Sequence, residues 1–217
     1  MSRLNDSGGR PMARVHRIPF STNVERVALA AGIKGIEVEW VDYDPSERGA
    51  IVALSGQELV PVAEIGGEVV VDSMRIVARL EELAPDPPLY PEHPASRAMV
   101  AIFIDWFNEV WKGPPNAIDD ERASTTPDEP RIGRLLDRVR GWTARFEGML
   151  AAHPFLMSSE AGVADVCAFP FLKYAVVETP PDDVEPFHRI LEECLKPADD
   201  YPRLREWVAR VDVLPRA

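Results

Sequence analysis

Apolar and charged residues alternate over Ile36-Glu-Val-Glu-Trp-Val41, the pattern of a strand with one buried face. A second β-compatible run, Ala13–Ile18, stops at Pro19. Between them, Val24–Ala31 is rich in helix formers and is expected to end on Gly32 as a C-cap. A short helix is expected within Pro45–Leu54, closed by Ser55-Gly56. Val60–Ile65 and Glu68–Val71 flank Gly66-Gly67, which reads as a β-hairpin. Asp72-Ser73 then caps a helix from about Met74 to Leu83, with Ile76, Val77, Leu80 and Leu83 on one face. The order β-α-β-α-β-β-α predicts a small mixed sheet covered by helices.

The pattern changes after Ala84-Pro-Asp-Pro-Pro-Leu-Tyr-Pro91, where prolines remove both hydrogen-bond donors and backbone freedom. We read 84–94 as a linker between a first domain at 13–83 and a helical second domain at 95–217. Met99, Phe103, Trp106 and Val110 share one helical face, and Leu135, Val139, Trp142, Phe146 and Met149 repeat that spacing. The polar, acidic, proline-containing segment Gly113–Pro130 between them reads as a mobile surface loop. Further helices are expected at 163–177, 184–195 and 202–212. The polar residues 1–12, with Gly8-Gly9 and no periodicity, read as a disordered leader.

Composition narrows the function. The 217 residues carry 36 acidic and 24 basic side chains, a net charge of −12, which disfavours binding to a phosphate backbone. A hydrophobic content of 46 % excludes general disorder. No apolar run approaches the roughly 18 residues of a membrane span, and no secretory signal opens the chain. Cys167 and Cys194 are the only cysteines, with no CxxC pair and no Cys/His cluster. A disulfide framework and a metal site are therefore not expected, and the cytoplasm is the default compartment.

Four short motifs occur in a meaningful order: Val60-Pro61 ahead of the hairpin, Asp72-Ser73 at a helix start, Ala161-Gly-Val-Ala-Asp165-Val, and Tyr201-Pro-Arg-Leu-Arg-Glu-Trp207. With a small α/β domain, a proline-rich linker and an all-α domain, they resemble the cytosolic glutathione S-transferase family, over roughly residues 13–212. The resemblance implies a thioredoxin-like N-terminal domain followed by a C-terminal α-helical bundle. Val60-Pro61 matches the family's cis-proline position, where the Val60 backbone meets the cysteinyl part of the thiol. Asp72-Ser73 matches the acid-serine pair that holds the γ-glutamyl end. The Asp165 segment matches the helical domain's Ser/Thr-x-x-Asp folding motif, with Gly162 in place of the hydroxyl residue. Leu59 stands where the family often carries Lys or another polar residue near the ligand, and Asp72 is one methylene shorter than the more usual Glu.

The same resemblance places a catalytic hydroxyl at Ser21, in Ser21-Thr-Asn-Val-Glu-Arg-Val27; Thr22 or Asn23 takes the role if the loop register shifts. The first domain has no cysteine, which disfavours disulfide exchange. Asp165 reads as a buried structural acid; Trp106, Phe107 and Trp111 read as core, the alternative being that one of them lines the cleft. The implied function is activation of the thiol of glutathione, or a related low-molecular-weight thiol, for attack on a small electrophile in the interdomain cleft. Glutathione is the implied cosubstrate and a homodimer the implied assembly, without metal, nucleic acid or membrane. The alternative is a non-catalytic binding or interaction module on the same scaffold.

Overall fold

Strand β1 (Met12–Arg17) lies at the centre of the N-terminal sheet because its Ala13 and Val15 can be fully buried on one face. The computed structural model describes residues 12–217. The leader expected at 1–12 therefore lies outside the described residues except for Met12, which opens β1. The chain forms two compact units, residues up to Tyr90 together with Leu214–Ala217, and Pro91–Val213.

In the first unit the strands are ordered β2-β1-β3-β4. β1 runs parallel to β2 (Glu37–Asp42) and antiparallel to β3 (Val62–Ile65), which forms a hairpin with β4 (Glu68–Val71). Helices α1 (Thr22–Ile33), α2 (Gly49–Ser55) and α3 (Ser73–Leu83) complete a thioredoxin-like domain.

Helix α1 does not stop at Gly32. It continues to Ile33 and closes in a Schellman turn, with Gly35 N–H donating to Gly32 O (3.1 Å) and Ile36 N–H to Ala31 O (2.9 Å). The left-handed residue is Gly35, at φ +61°. Gly32 is required for another reason. The Leu214–Ala217 segment lies along α1, and a Cβ on Gly32 would stand 2.2 Å from Pro215 O. Ala217 N–H donates to Ala28 O and Trp40 Nε1–H to Ala217 O, while Arg216 pairs with Glu25. Gly32→Ala is expected to lower stability by about 1–3 kcal/mol, although alanine is the better helix former, because backbone must move. Thermal unfolding together with limited proteolysis at residues 213–217 checks this; an unchanged or higher midpoint would refute it.

The proline-rich stretch is fastened to the first unit by a buried lysine. Lys34, with a fully buried side chain, pairs with Glu81 and donates to the carbonyls of Ala84 (2.7 Å) and Pro87 (2.8 Å). Glu81 in turn accepts from the N–H groups of Leu89 and Tyr90.

The second unit consists of α4 (Pro94–Trp106), α5 (Gly113–Ala123), α6 (Glu129–Met149), α7 (Val163–Leu172), α8 (Pro186–Leu195) and α9 (Pro202–Asp212). A π-turn, Phe107–Trp111, follows α4. The loop expected at Gly113–Pro130 is helical over Gly113–Ala123. Pro114 and Pro115 occupy its first turn, where no N–H is needed, and bury their rings with Ile118. The expected helix at 163–177 is α7 plus a 3₁₀ turn at Lys173–Ala175.

The core stripes are shifted from the expected faces. α4 and the π-turn bury Val100, Phe103, Phe107 and Trp111, leaving Met99 and Val110 exposed. α6 buries Ile132, Leu136, Val139, Thr143 and Phe146 rather than centring on Leu135, Trp142 and Met149. Phe107 stacks on Trp111 at 4.5 Å between centroids, and both meet Phe146 and Phe171 edge-on.

Asp165 joins three segments of this unit. Its carboxylate accepts from Gly162 N (2.9 Å), Leu156 N (2.8 Å) and Trp207 Nε1 (2.6 Å). The reach from Asp165 back to the Gly162 N–H supplies half of a capping box that glycine cannot complete. Both cysteines are buried thiols, and burial pushes Cys194 up to about 12. Among the described residues no helix is long and apolar enough to cross a membrane.

Candidate functional site

Ile18, Val60, Val62 and Val71 pack into one apolar cluster with Ile51 and Leu54 of α2. Ile18 follows β1, Val60 precedes β3 and Val71 ends β4, so the segments carrying Ser21, Val60-Pro61 and Asp72-Ser73 leave the sheet at the same end of its strands. The small unit folds this way because the antiparallel pairing of β1 with β3, His16 opposite Val62, fixes their register.

Ser21 is the N-cap of α1. Its backbone is extended (φ −68°, ψ 119°), and its Oγ accepts from Val24 N at 3.4 Å. That long contact uses a lone pair and leaves the hydroxyl proton; among the described residues no protein group accepts it. Thr22 is buried in the first turn, and Asn23 Oδ1 is taken up by Arg26 Nη1 at 3.2 Å.

The Val60–Pro61 peptide is cis. Among the described residues neither the N–H nor the C=O of Val60 pairs with another protein group, whereas Val62, two residues later, is inside the ladder. Leu59, at 66 % exposure, presents an apolar side chain at this edge, and its carbonyl accepts from Gln57.

Asp72 caps α3 from a backbone of positive φ (φ 73°, ψ 127°), its Oδ1 accepting from Met74 N (2.9 Å) and Arg75 N (3.1 Å). Ser73 is buried directly behind it, and its Oγ accepts from Arg26 Nη1 at 3.2 Å. Arg26, 1 % exposed, thus bonds the first turn of α1 and the first turn of α3 at once.

Arg26 is the residue that reading the sequence missed. The available signal was its position among Val24, Val27 and Leu29: α1 buries residues on more than one face, so a cation within that run is enclosed. Two histidines also acquire partners that no sequence spacing shows. His16 Nδ1 is 2.9 Å from the Tyr43 hydroxyl and Nε2 is 3.0 Å from Glu64, while His188 Nδ1 lies 2.6 Å from Asp183. Each ring has a carboxylate partner. Among the described residues no group of three or more His, Cys, Asp or Glu could hold a metal ion.

Two helix N-termini with exposed or partly exposed caps, a buried guanidinium between them and the unpaired Val60 backbone make a candidate site whose donors are of the kind that receive an anionic, peptide-like ligand. The sequence matches the model of the glutathione S-transferase N-terminal domain over residues 15–88 and that of the C-terminal domain over 129–210. The chain belongs to the glutathione S-transferase family. Among relatives, glutathione transferase omega-1 of Caenorhabditis elegans is 24 % identical over 201 residues, 91 % of this chain and 76 % of that protein. A probable maleylacetoacetate isomerase 1 of Drosophila melanogaster is 26 % identical over 168 residues, covering 69 % of this chain and 63 % of that protein. The crystal structure of a theta class transferase from Xanthomonas axonopodis pv. citri, with glutathione bound, superposes with a TM-score of 0.68 at 24 % identity, covering 94 % of this chain and 93 % of the other. This transferase fold is therefore shared well beyond the reach of sequence identity.

Proposed function

We propose that this family member binds glutathione and activates its thiol for attack on a small electrophile, with Ser21 as the hydroxyl donor to sulfur. The observation that carries the reading is the shared end of the sheet at which Ser21, the unpaired Val60 backbone and the Asp72-Ser73 helix start emerge. The Val60 N–H and C=O would exchange bonds with the cysteinyl backbone, a one-residue strand addition. The N-terminus of α3 and the Ser73 hydroxyl would receive the γ-glutamyl carboxylate, and Asp72 the ammonium. The Ser21 hydroxyl keeps its proton while accepting from Val24, and Thr22 is buried, which favours Ser21 as the donor. Conjugation, isomerisation, dehalogenation and ether cleavage share this first step, and the relatives' names include both a transferase and an isomerase.

Ser73→Ala tests the reading. It removes a hydrogen bond to a charged group, about 1.5–3 kcal/mol, and is expected to weaken glutathione roughly ten- to a hundred-fold by isothermal titration. Unchanged affinity in a folded variant would leave the Asp72-Ser73 pair as a cap alone. Absence of binding heat from the unsubstituted protein up to millimolar glutathione would favour the non-catalytic module instead.

We further propose a cytoplasmic homodimer. On α4, Met99 (55 % exposed) and Ile102 (62 %) form an apolar stripe with Ala95 and Ala98 on the outside of the helical unit. Light scattering should give twice the 24.2 kDa of the chain, and a monomer mass at micromolar concentration would refute it.

A further inference from the structure

Arg26 is buried beneath Ser73 and bonds the first turns of both α1 and α3. It is 1 % exposed, on the third position after Asn23, and Nη1 donates to both Asn23 Oδ1 and Ser73 Oγ at 3.2 Å. Guanidinium cannot be deprotonated in a protein, so a permanent positive charge sits between the N-termini of α1 and α3. Both termini carry the positive end of a helix dipole, and all three fields add at the same place.

The direction of the Ser73 bond matters as much as the charge. A hydroxyl has one proton and two lone pairs. Arg26 donates to the oxygen, and among the described residues no protein group accepts from the Ser73 O–H. The proton is therefore left for an outside acceptor, and a cation bonded to the same oxygen makes that O–H a stronger donor. A purely structural staple between two helices would work equally well with Ser73 donating to a carbonyl; here the polarity of the bond is reversed.

We infer that Arg26 is a positioning residue that, through Ser73, sets how strongly the start of α3 holds the γ-glutamyl α-carboxylate of the thiol peptide. This rests on the glutathione reading above and adds to it the residue that determines carboxylate recognition. Asn23 holds the guanidinium plane from the α1 side, so the two helix starts are tuned together.

The test is isothermal titration of the unsubstituted protein, Arg26→Gln and Arg26→Lys with two probes. One is glutathione; the other is γ-aminobutyryl-cysteinylglycine, which lacks only the α-carboxylate of the first residue. Arg26→Gln is expected to weaken glutathione about tenfold while changing the analogue by less than about twofold. Arg26→Lys keeps the charge but loses the planar fork, and should weaken glutathione by about threefold with the analogue again unchanged. Adding Arg26→Gln to Ser73→Ala should bring no further loss, because the effect passes through the hydroxyl. A structural role predicts equal losses for both probes. Equal losses, or no loss for glutathione, in whichever Arg26 variant folds would overturn the inference while leaving the glutathione reading intact. If the unsubstituted protein binds neither probe, the glutathione reading itself fails. If it binds both equally, the assignment of the carboxylate to Asp72-Ser73 fails, whatever Arg26 does.

Discussion

Ser21→Ala is expected to bind glutathione nearly as well as the unsubstituted protein and to lose most of its turnover near neutral pH, regaining it in alkali. A free thiol has a pKa of about 8.5, so only about 3 % is thiolate at pH 7. Lowering it by about two units raises that fraction to about 75 % and requires about 2.7 kcal/mol of preference for the anion. One hydrogen bond from Ser21 to the sulfur, together with the N-terminus of α1, is of that size. The Ser21 Oγ accepts only a long bond from Val24, and its proton is available. Losing the donor should therefore cost roughly 25-fold or somewhat less in kcat/KM at about pH 7, and little at about pH 9.5, where the thiol ionises unaided. Ultraviolet thiolate absorbance of the bound peptide should fall in parallel. The same change removes the N-cap of α1, at about 0.5–2 kcal/mol, so thermal stability is measured alongside. A rate deficit independent of pH would assign Ser21 to folding alone, and full activity would move the role to Thr22 or Asn23.

Asp165→Ala is expected to destabilise the helical unit by about 3–5 kcal/mol, close to 10 °C in the unfolding midpoint for a chain of this size. Three donors lose their acceptor together: the N–H groups of Gly162 and Leu156 and the indole of the fully buried Trp207. Each buried orphan costs about 1–3 kcal/mol, offset in part by removing a carboxylate from a dry site. Burial pushes the Asp165 carboxyl up to about 6, against the opposing pull of those N–H bonds. In the unfolded chain it returns to about 3.9, so the folded state holds the proton more tightly. Its stabilising contribution is full below about pH 4 and is lost as pH rises through about 6, amounting to about 3 kcal/mol. Asp165→Asn cannot titrate. Its deficit relative to the unsubstituted protein should therefore be largest in acid and shrink toward neutrality; a deficit that grows with pH would show that the folded carboxyl is not raised.

The legibility of this chain differs from element to element. Strand β2 was plain because Val38 and Trp40 alternate with Glu37 and Glu39, and half-burial is all that a period of two requires. The start of α3 was plain because Asp72 has a local capping function whether or not a ligand is bound. The Pro114-Pro115 pair misled because proline punctuates a helix from either side: as a breaker within it, or as an opening residue at its first turn. The faces of α4 misled because Met99 to Ile104 is apolar on every side, and periodicity alone cannot choose which stripe meets Phe146.

By itself, then, the sequence determined the mixed α/β unit, the switch to helices beyond the prolines, the hairpin and the Asp72 cap of α3. These depend on contacts within a few residues, which a linear pattern records. Only the tertiary structure decided that Gly32 makes room for Pro215, that Lys34 fastens the proline-rich stretch through Glu81, and that Arg26 reaches Ser73 across 47 positions. A buried cation owes its place to partners brought together by the sheet and the helices around it, and nothing in its immediate neighbours along the chain names those partners.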